Sequence, residues 1–206
     1  MGYDRRGGGV NARRPPCEIE TVLADGRSVC LRTIRPSDEA RIREGIAQMS
    51  DRSRYLRFFS AFRTPPESVV KRLSAVDGHD HIGWGAILLD GADYPPIAAA
   101  HAIRTVEDAA EGELAVAVLD DYQGLGLARM LIATVLADCV DEALDRLTMQ
   151  VLGENRAATG LLLALGANVV RSDGSVTTFA LSPATALERL RSGAQPPGLS
   201  AVLDRL

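Results

Sequence analysis

Hydrophobic spacing changes period along this chain, and the changes mark out its elements. Leu114, Val116 and Val118 alternate with Glu113, Ala115 and Ala117, the two-residue period of a strand. Past Asp120 and Asp121 the spacing lengthens to three and four residues, so Leu127, Met130, Leu131, Thr134 and Val135 share one face of a helix. The same reading predicts a hairpin from 19–23 and 28–34 around Asp25-Gly26, then helices near 37–49, 51–59 and 66–75, the last started by Pro65-Pro66. Strands are expected at 82–89, 97–106 and 113–119, the first two joined by the turn-rich Asp90-Gly91-Ala92-Asp93. A helix from Gly126 to about Leu144, a strand at 147–152 and a helix at 156–165 follow. A second hairpin, 167–172 and 175–181, turns at Asp173-Gly174, and a helix covers 183–191. The strands at 113 and 147 are joined through a helix and should run parallel. There are no internal repeats.

Composition places this pattern in one folded unit. At 206 residues and 46% hydrophobic, the chain can bury a full core in a single domain. We expect a disordered basic tail over 1–16, a folded domain over 17–191, and a linker with a short amphipathic segment over 192–206. In that segment Leu199, Val202, Leu203 and Leu206 sit at helical spacing, and packing on the chain's own domain is favoured over a neighbouring chain. Arg5, Arg6, Arg13 and Arg14 against Asp4 give the first 16 residues a net charge of +3, so the rest carries −7 of the total −4. That acidic body argues against nucleic-acid binding. No apolar run approaches the roughly 20 residues that cross a bilayer, and the Gly- and Arg-rich start lacks the apolar stretch of a secretory signal. Cys17, Cys30 and Cys139 are odd in number and scattered, which predicts reduced thiols in a cytoplasmic protein.

The strand–turn–helix at 113–128 is the candidate for chemistry. First-turn helix amides lack internal partners and the helix dipole favours an anion there, while Gly124 and Gly126 let a phosphate approach the backbone. A dinucleotide fingerprint needs a third glycine, and its position holds Arg129; a triphosphate loop needs Gly-Lys-Ser/Thr, and no lysine is near. The order Gln123-x-x-Gly126-x-Ala128, with Val118 five residues before Gln123, instead resembles the acetyl-CoA signature of the GNAT superfamily of N-acetyltransferases. Asn155-Arg156-Ala157-Ala158 followed by Leu165-Gly166-Ala167 resembles the second motif of that superfamily. Thr33 to Glu39, Ser53 to Phe59, and Asp80-His81 add a resemblance to the catalytic domain of bacterial protein lysine acetyltransferases, running from about 28 to 182.

The resemblance implies an α/β (α+β) fold: a central mixed, twisted sheet of six to seven strands with helices on both faces and two splayed parallel strands in the middle. It implies acetyl-CoA as co-substrate, held by Val116, Ala117, Val118, Gln123, Gly124, Leu125, Gly126, Leu127, Ala128 and Asn155. It implies Glu113 as general base for a lysine Nε-amine presented by a cytosolic metabolic enzyme, and a partly desolvated cleft would help that carboxylate accept a proton. The position where many relatives carry a tyrosine acid is Leu162, so the CoA thiolate is expected to leave unaided. No metal is expected at His79-Asp80-His81, because no further ligand has the right spacing. Arg54 and Arg57 are read as structural, and His101 as a strand residue without a role. Neither nucleic acid nor membrane is an expected partner, and a homodimer stays open. Two other readings remain: an acetyltransferase for a small amine, and a non-catalytic acyl-CoA sensor.

Overall fold

The computed structural model describes residues 16–60, 62, 64–90, 93–105, 110–193 and 196–206. Most of the expected basic tail, and the middle of the 90–93 turn, lie outside those residues. The strands are β1 (Ile19–Val22), β2 (Ser28–Thr33), β3 (His81–Leu88), β4 (Pro96–Arg104), β5 (Glu111–Val118), β6 (Arg146–Leu152), β7 (Asn168–Asp173) and β8 (Val176–Leu181). They form one sheet in the order β1-β2-β3-β4-β5-β6-β8-β7. Six to seven strands were expected; among the described residues there are eight, because both hairpins join the same sheet. Every pairing is antiparallel except β5 with β6.

The helices are α1 (Glu39–Gln48, after a short 3-10 turn at Pro36–Asp38), α2 (Asp51–Phe58), α3 (Glu67–Ser74), α4 (Leu127–Asp141), α5 (Arg156–Ala164), α6 (Pro183–Ser192) and α7 (Leu199–Leu203). Alternation on β3 and β4 divides the sheet's two faces. Trp84 faces α4, where its Nε1 donates to Asp138 Oδ2 at 2.6 Å. Gly85, Ile87, Ala99 and His101 face α1 instead. Nine residues of α4, from Leu127 to Cys139, are buried, since α6 and α7 cover the side of α4 that the sheet leaves open. The helix stops earlier than the expected Leu144 because Ala143 turns to φ 55° and the Leu144 N–H bonds back to Cys139 O at 2.8 Å. Leu199, Val202 and Leu203 of α7 are buried in this same core, and Thr21 Oγ1 donates to Gly198 O at 2.7 Å to hold the helix against β1. No helix among the described residues is long and apolar enough to cross a membrane.

The cysteine expectation is overturned. Cys17 and Cys30 form a disulfide with Cα atoms 5.6 Å apart. The hairpin lays β2 beside the chain entering β1, a proximity that spacing in the sequence does not reveal. Three scattered cysteines therefore give no argument for a reducing compartment. Cys139 alone is free, inside α4, where burial pushes its thiol up to about 12.

The Thr33–Glu39 motif has a mechanical purpose. Asp38 is buried and takes two hydrogen bonds from the Arg32 guanidinium, at 2.7 and 2.8 Å, and a third from the Arg35 N–H at 2.8 Å. Burial alone would raise its pKa; Arg32, the Arg35 amide and the charge of Arg41 together hold it below the usual carboxylate range. This fork ties the start of α1 to β2. Asp38→Ala would leave the Arg32 cation buried without its counter-ion, only the Thr33 carbonyl still accepting from it, so we expect a loss of about 3–5 kcal/mol in unfolding free energy, read by urea titration. A loss under 1 kcal/mol would remove the fork from the fold's supports.

Candidate active site

β5 and β6 pair only at Glu111 with Arg146, Gly112 with Leu147 and Glu113 with Thr148. Beyond Glu113 they separate, although both strands continue. Peptide groups alternate sideways along a strand. The Leu119 N–H bonds to Ile97 O of β4 at 2.9 Å, so the N–H and C=O of Val118, and of Val116 before it, point the other way, into the gap. The gap opens into a cleft of about 650 Å³ bounded by β5 from Glu113 to Val118, by Met149 to Val151 of β6, by the loop at Gln123–Arg129, and by Asn155 to Leu161.

The loop suits an anion. Gly124 and Gly126 both adopt φ above +70°, the left-handed region, and Gly126 is the N-cap of α4. At Gly126 a side chain is excluded twice, since a Cβ would also lie 2.9 Å from the Pro196 ring. Among the described residues, the amides of Gly124, Gly126, Leu127 and Ala128 have no backbone acceptor, while Arg129 N–H already bonds to Gly126 O. Gln123 acts on the strand: its Nε2 donates to Val118 O at 3.1 Å, which explains their five-residue spacing. Asn155 caps α5, its side-chain oxygen accepting from the Ala158 N–H at 3.1 Å, and it also borders the cleft. All ten residues expected to hold acetyl-CoA except Leu125 line this cleft. Leu125 packs against the core and its carbonyl accepts from the Ala24 N–H. These features fit a pyrophosphate at the loop and a thin extended arm between the strands.

Glu113 lies at the last paired residue, where the strands part, on the face it shares with Ala115 and Ala117. The expected partial desolvation is not found: Glu113 is exposed, because the cleft opens to solvent on its side. Leu162, at the place of the tyrosine acid, is buried in the core. Tyr122 lies under the Arg27 guanidinium at 4.3 Å and is part of the loop's support.

Two residues given no catalytic part in the sequence now stand beside the site. α2 is fastened to the turn that follows β5 through Asp120, whose carboxylate accepts from Ser50 N and Oγ and from Ser53 Oγ at 2.8 to 3.1 Å. That docking brings half-buried Arg57 into the cleft, whereas Arg54 is structural, bonded to Met49 O at 2.5 Å and paired with Asp51. Burial lowers the Arg57 pKa to about 10; the Glu113 carboxylate opposes the shift and Arg72 adds to it. His101 is buried on β4 opposite Ala115, diagonal to Glu113 on the same face. His81 Nε2 is 2.9 Å from His101 Nδ1. The sequence shows each residue type but not the strand register that assembles them. His79 and Asp80 lie outside the cleft lining; His79 Nδ1 bonds the Glu142 carboxylate at 2.5 Å and Asp80 pairs with Arg104 at 3.5 Å. Arg129 and Arg156 do border the cleft, where sequence alone left them undecided.

With this geometry in view, the comparisons agree. Residues 40–167 match the family model for the acetyltransferase (GNAT) family. The chain is 32% identical over 155 residues to Acetyltransferase Pat of Mycolicibacterium smegmatis, covering 75% of this chain and 46% of that one. It therefore spans less than half of that relative. The crystal structure of the GNAT domain of S. lividans PAT superposes with a TM-score of 0.72 at 26% identity, covering 82% of this chain and 99% of that one. Spermidine N-acetyltransferase from Vibrio cholerae, in complex with CoA and spermine, superposes at 0.58 with 16% identity, over 77% of this chain and 98% of that one, a likeness of fold.

The buried imidazoles give a pH prediction. Burial lowers the His81 pKa, against a raising pull from its bond to Ala75 O and from Asp77; burial, then Arg57, then His81 hold His101 well below 6.5. The unfolded chain thus binds protons near pH 6.5 that the folded chain does not. The contribution of the neutral pair to stability is full above about pH 6.5 and is lost as pH falls below it. Urea midpoints measured from pH 7.5 to 5.5 should drop more steeply for wild type than for His81→Gln/His101→Gln; equal slopes would contradict this.

Proposed function

Since the chain belongs to the GNAT acetyltransferase family, we propose that it transfers the acetyl group of acetyl-CoA to the Nε-amine of a lysine on a cytosolic metabolic enzyme, with Glu113 as general base. The observation that carries this reading is the position of Glu113, at the point where β5 and β6 part and on the face that also carries Ala115 and Ala117. The 32% identity to Acetyltransferase Pat supports a protein acceptor, and an exposed carboxylate in an open cleft is accessible to a side chain on a large partner.

Acetyl-CoA brings the activated acyl group. The loop amides of Gly124, Gly126, Leu127 and Ala128 hold its phosphates, and its extended arm takes the place of the missing β6 partner along the Val116 peptide group. The lysine arrives as an ammonium with a pKa near 10.4 and must lose a proton before it can attack. Glu113 takes that proton. The amine lone pair then forms the C–N bond at the thioester carbon. The Val118 N–H stabilises the negative charge growing on the thioester oxygen, at no cost in reorganisation. The C–S bond breaks and CoA departs as thiolate, which needs no acid from buried Leu162. Arg57 borders the same cleft as Glu113, close enough for the two charges to interact.

Glu113→Gln should lower kcat by about 100-fold or more while acetyl-CoA binding is retained. The assay is transfer from labelled acetyl-CoA into a cytosolic extract of the source organism, read as acetyl-lysine by mass spectrometry. Lysine labelling that depends on Glu113 supports the proposal. Transfer confined to small amines such as polyamines would make this a small-molecule acetyltransferase, and acetyl-CoA binding without any transfer would make it a sensor.

A further inference from the structure

Acetylating an ammonium releases two protons, since the nitrogen arrives with three hydrogens and leaves as an amide with one. Glu113 accounts for the first, and that assignment rests on the function proposed above. The second must leave the nitrogen after the C–N bond forms, when the nitrogen is positively charged. Leu162 can neither give nor take a proton, so a side-chain acceptor for the second proton has to lie elsewhere around the point where the strands part.

A chain of hydrogen bonds points to one. The Ala75 carbonyl can only accept, so His81 Nδ1, 3.1 Å away, carries the hydrogen of that bond. His81 Nε2 is then an acceptor and must receive the hydrogen on His101 Nδ1, 2.9 Å away. The remaining nitrogen, His101 Nε2, is left with a free lone pair. His101 borders an apolar cavity beneath α1, which shares Met49, Arg57 and Ala117 with the acetyl-CoA cleft. On β5 its cross-strand partner is Ala115, and Glu113 and Ala117 are its diagonal neighbours on the same face. The ring fits because residue 83 opposite it is glycine: a Cβ there would lie 3.1 Å from His101 Nδ1 and 2.6 Å from the Val76 side chain.

We propose that His101 is the second proton acceptor of the reaction, and that His81 is the positioning residue that fixes its tautomer and receives the displaced proton. His101 Nε2 takes the proton from the newly acylated nitrogen, and the hydrogen on His101 Nδ1 passes to His81 Nε2. The charge then rests on His81, between the Ala75 carbonyl and the Asp77 carboxylate, whose Oδ1 accepts the His81 backbone N–H at 2.9 Å. Burial, then Arg57 from α2 and His81 from β3, keep His101 neutral beforehand, while Arg72 from α3 acts on His81 and Glu113 on β5 acts on Arg57, so the His101 lone pair is available throughout the neutral range. A weak base is enough, because an amine nitrogen bonded to a carbonyl-derived carbon is strongly acidic.

The experiment follows CoA thiol release from acetyl-CoA with a pool of lysine-containing peptides as acceptor, from pH 6 to 9, for wild type, Glu113→Gln, His101→Gln, His81→Gln and His81→Leu. Acetyl-CoA affinity is measured on each as a check of folding. His101→Gln should lower kcat by about 10- to 100-fold and leave acetyl-CoA affinity unchanged. His81→Gln still offers an acceptor to His101 Nδ1 and so keeps its tautomer, but it cannot take the proton, so the charge stays on His101; the rate should fall, though less than for His81→Leu. His81→Leu releases the tautomer, and should lose rate and shift the acidic limb of the pH profile. If His101→Gln does not fold, the two His81 variants and a proton inventory on wild type decide: a curved inventory with His81→Gln well above His81→Leu supports two transfers. His101→Gln turning over at the wild-type rate, or equal rates for the two His81 variants with a linear inventory, would overturn the proposal. Wild-type turnover by Glu113→Gln would instead overturn the base assignment, independently of His101.

Discussion

The separation of two parallel strands after three residue pairs is the constraint on which the site depends. A sheet gains by pairing every peptide group, and β5 gives this up along its half facing β6. The loss is small because the gap communicates with water, which hydrates the freed groups, and because Gln123 replaces one partner by donating to Val118 O. In return the strand presents a row of N–H and C=O groups at fixed spacing in the middle of a rigid sheet. A flexible loop with the same groups would have to be ordered on each binding event.

Holding that opening requires firm supports on both faces. Beneath it lies α4, buried almost all round, with its N-terminal amides at the glycine-loop end of the gap. A helix so uniformly apolar is stable only because α6 and α7 cover the side that the sheet does not. Pro196, in the connection before α7, lies against the loop at Gly126, so the C-terminal segment supports the cleft and the core together. On the opposite face, the Arg32–Asp38 fork holds α1, and Asp120 holds α2.

Most elements were legible in the sequence because their periods are strong: α4 and β5 were found within a residue or two at one or both ends, as was the loop between them. The loop that lines the cleft was legible as well, since Gln123, Gly124, Gly126 and Ala128 are close in sequence and their spacing carries the geometry. What could not be read is what depends on register. His101 and Glu113 are twelve residues apart, and only the pairing of β4 with β5 makes them diagonal neighbours. Cys17 and Cys30 met through the β1–β2 hairpin for the same reason. Arg57 looked structural because arginines on helices usually are; its place in the cleft follows from Asp120 capturing Ser50 and Ser53, a contact across some 70 residues. The exposure of Glu113 reflects the open end of the cleft, which no local pattern encodes.

Trp84 is the only tryptophan in the chain, and it lies in β3 with its indole N–H fixed to Asp138 of α4. Its indole is therefore on the side of the sheet away from Glu113, Arg57 and the two imidazoles. The intrinsic emission of the protein accordingly reports the interface between sheet and helix, where the core is built. It gives an optical record of global unfolding that stays largely silent on events in the cleft, so the cohesion of the fold and the occupancy of its site can be followed as separate signals.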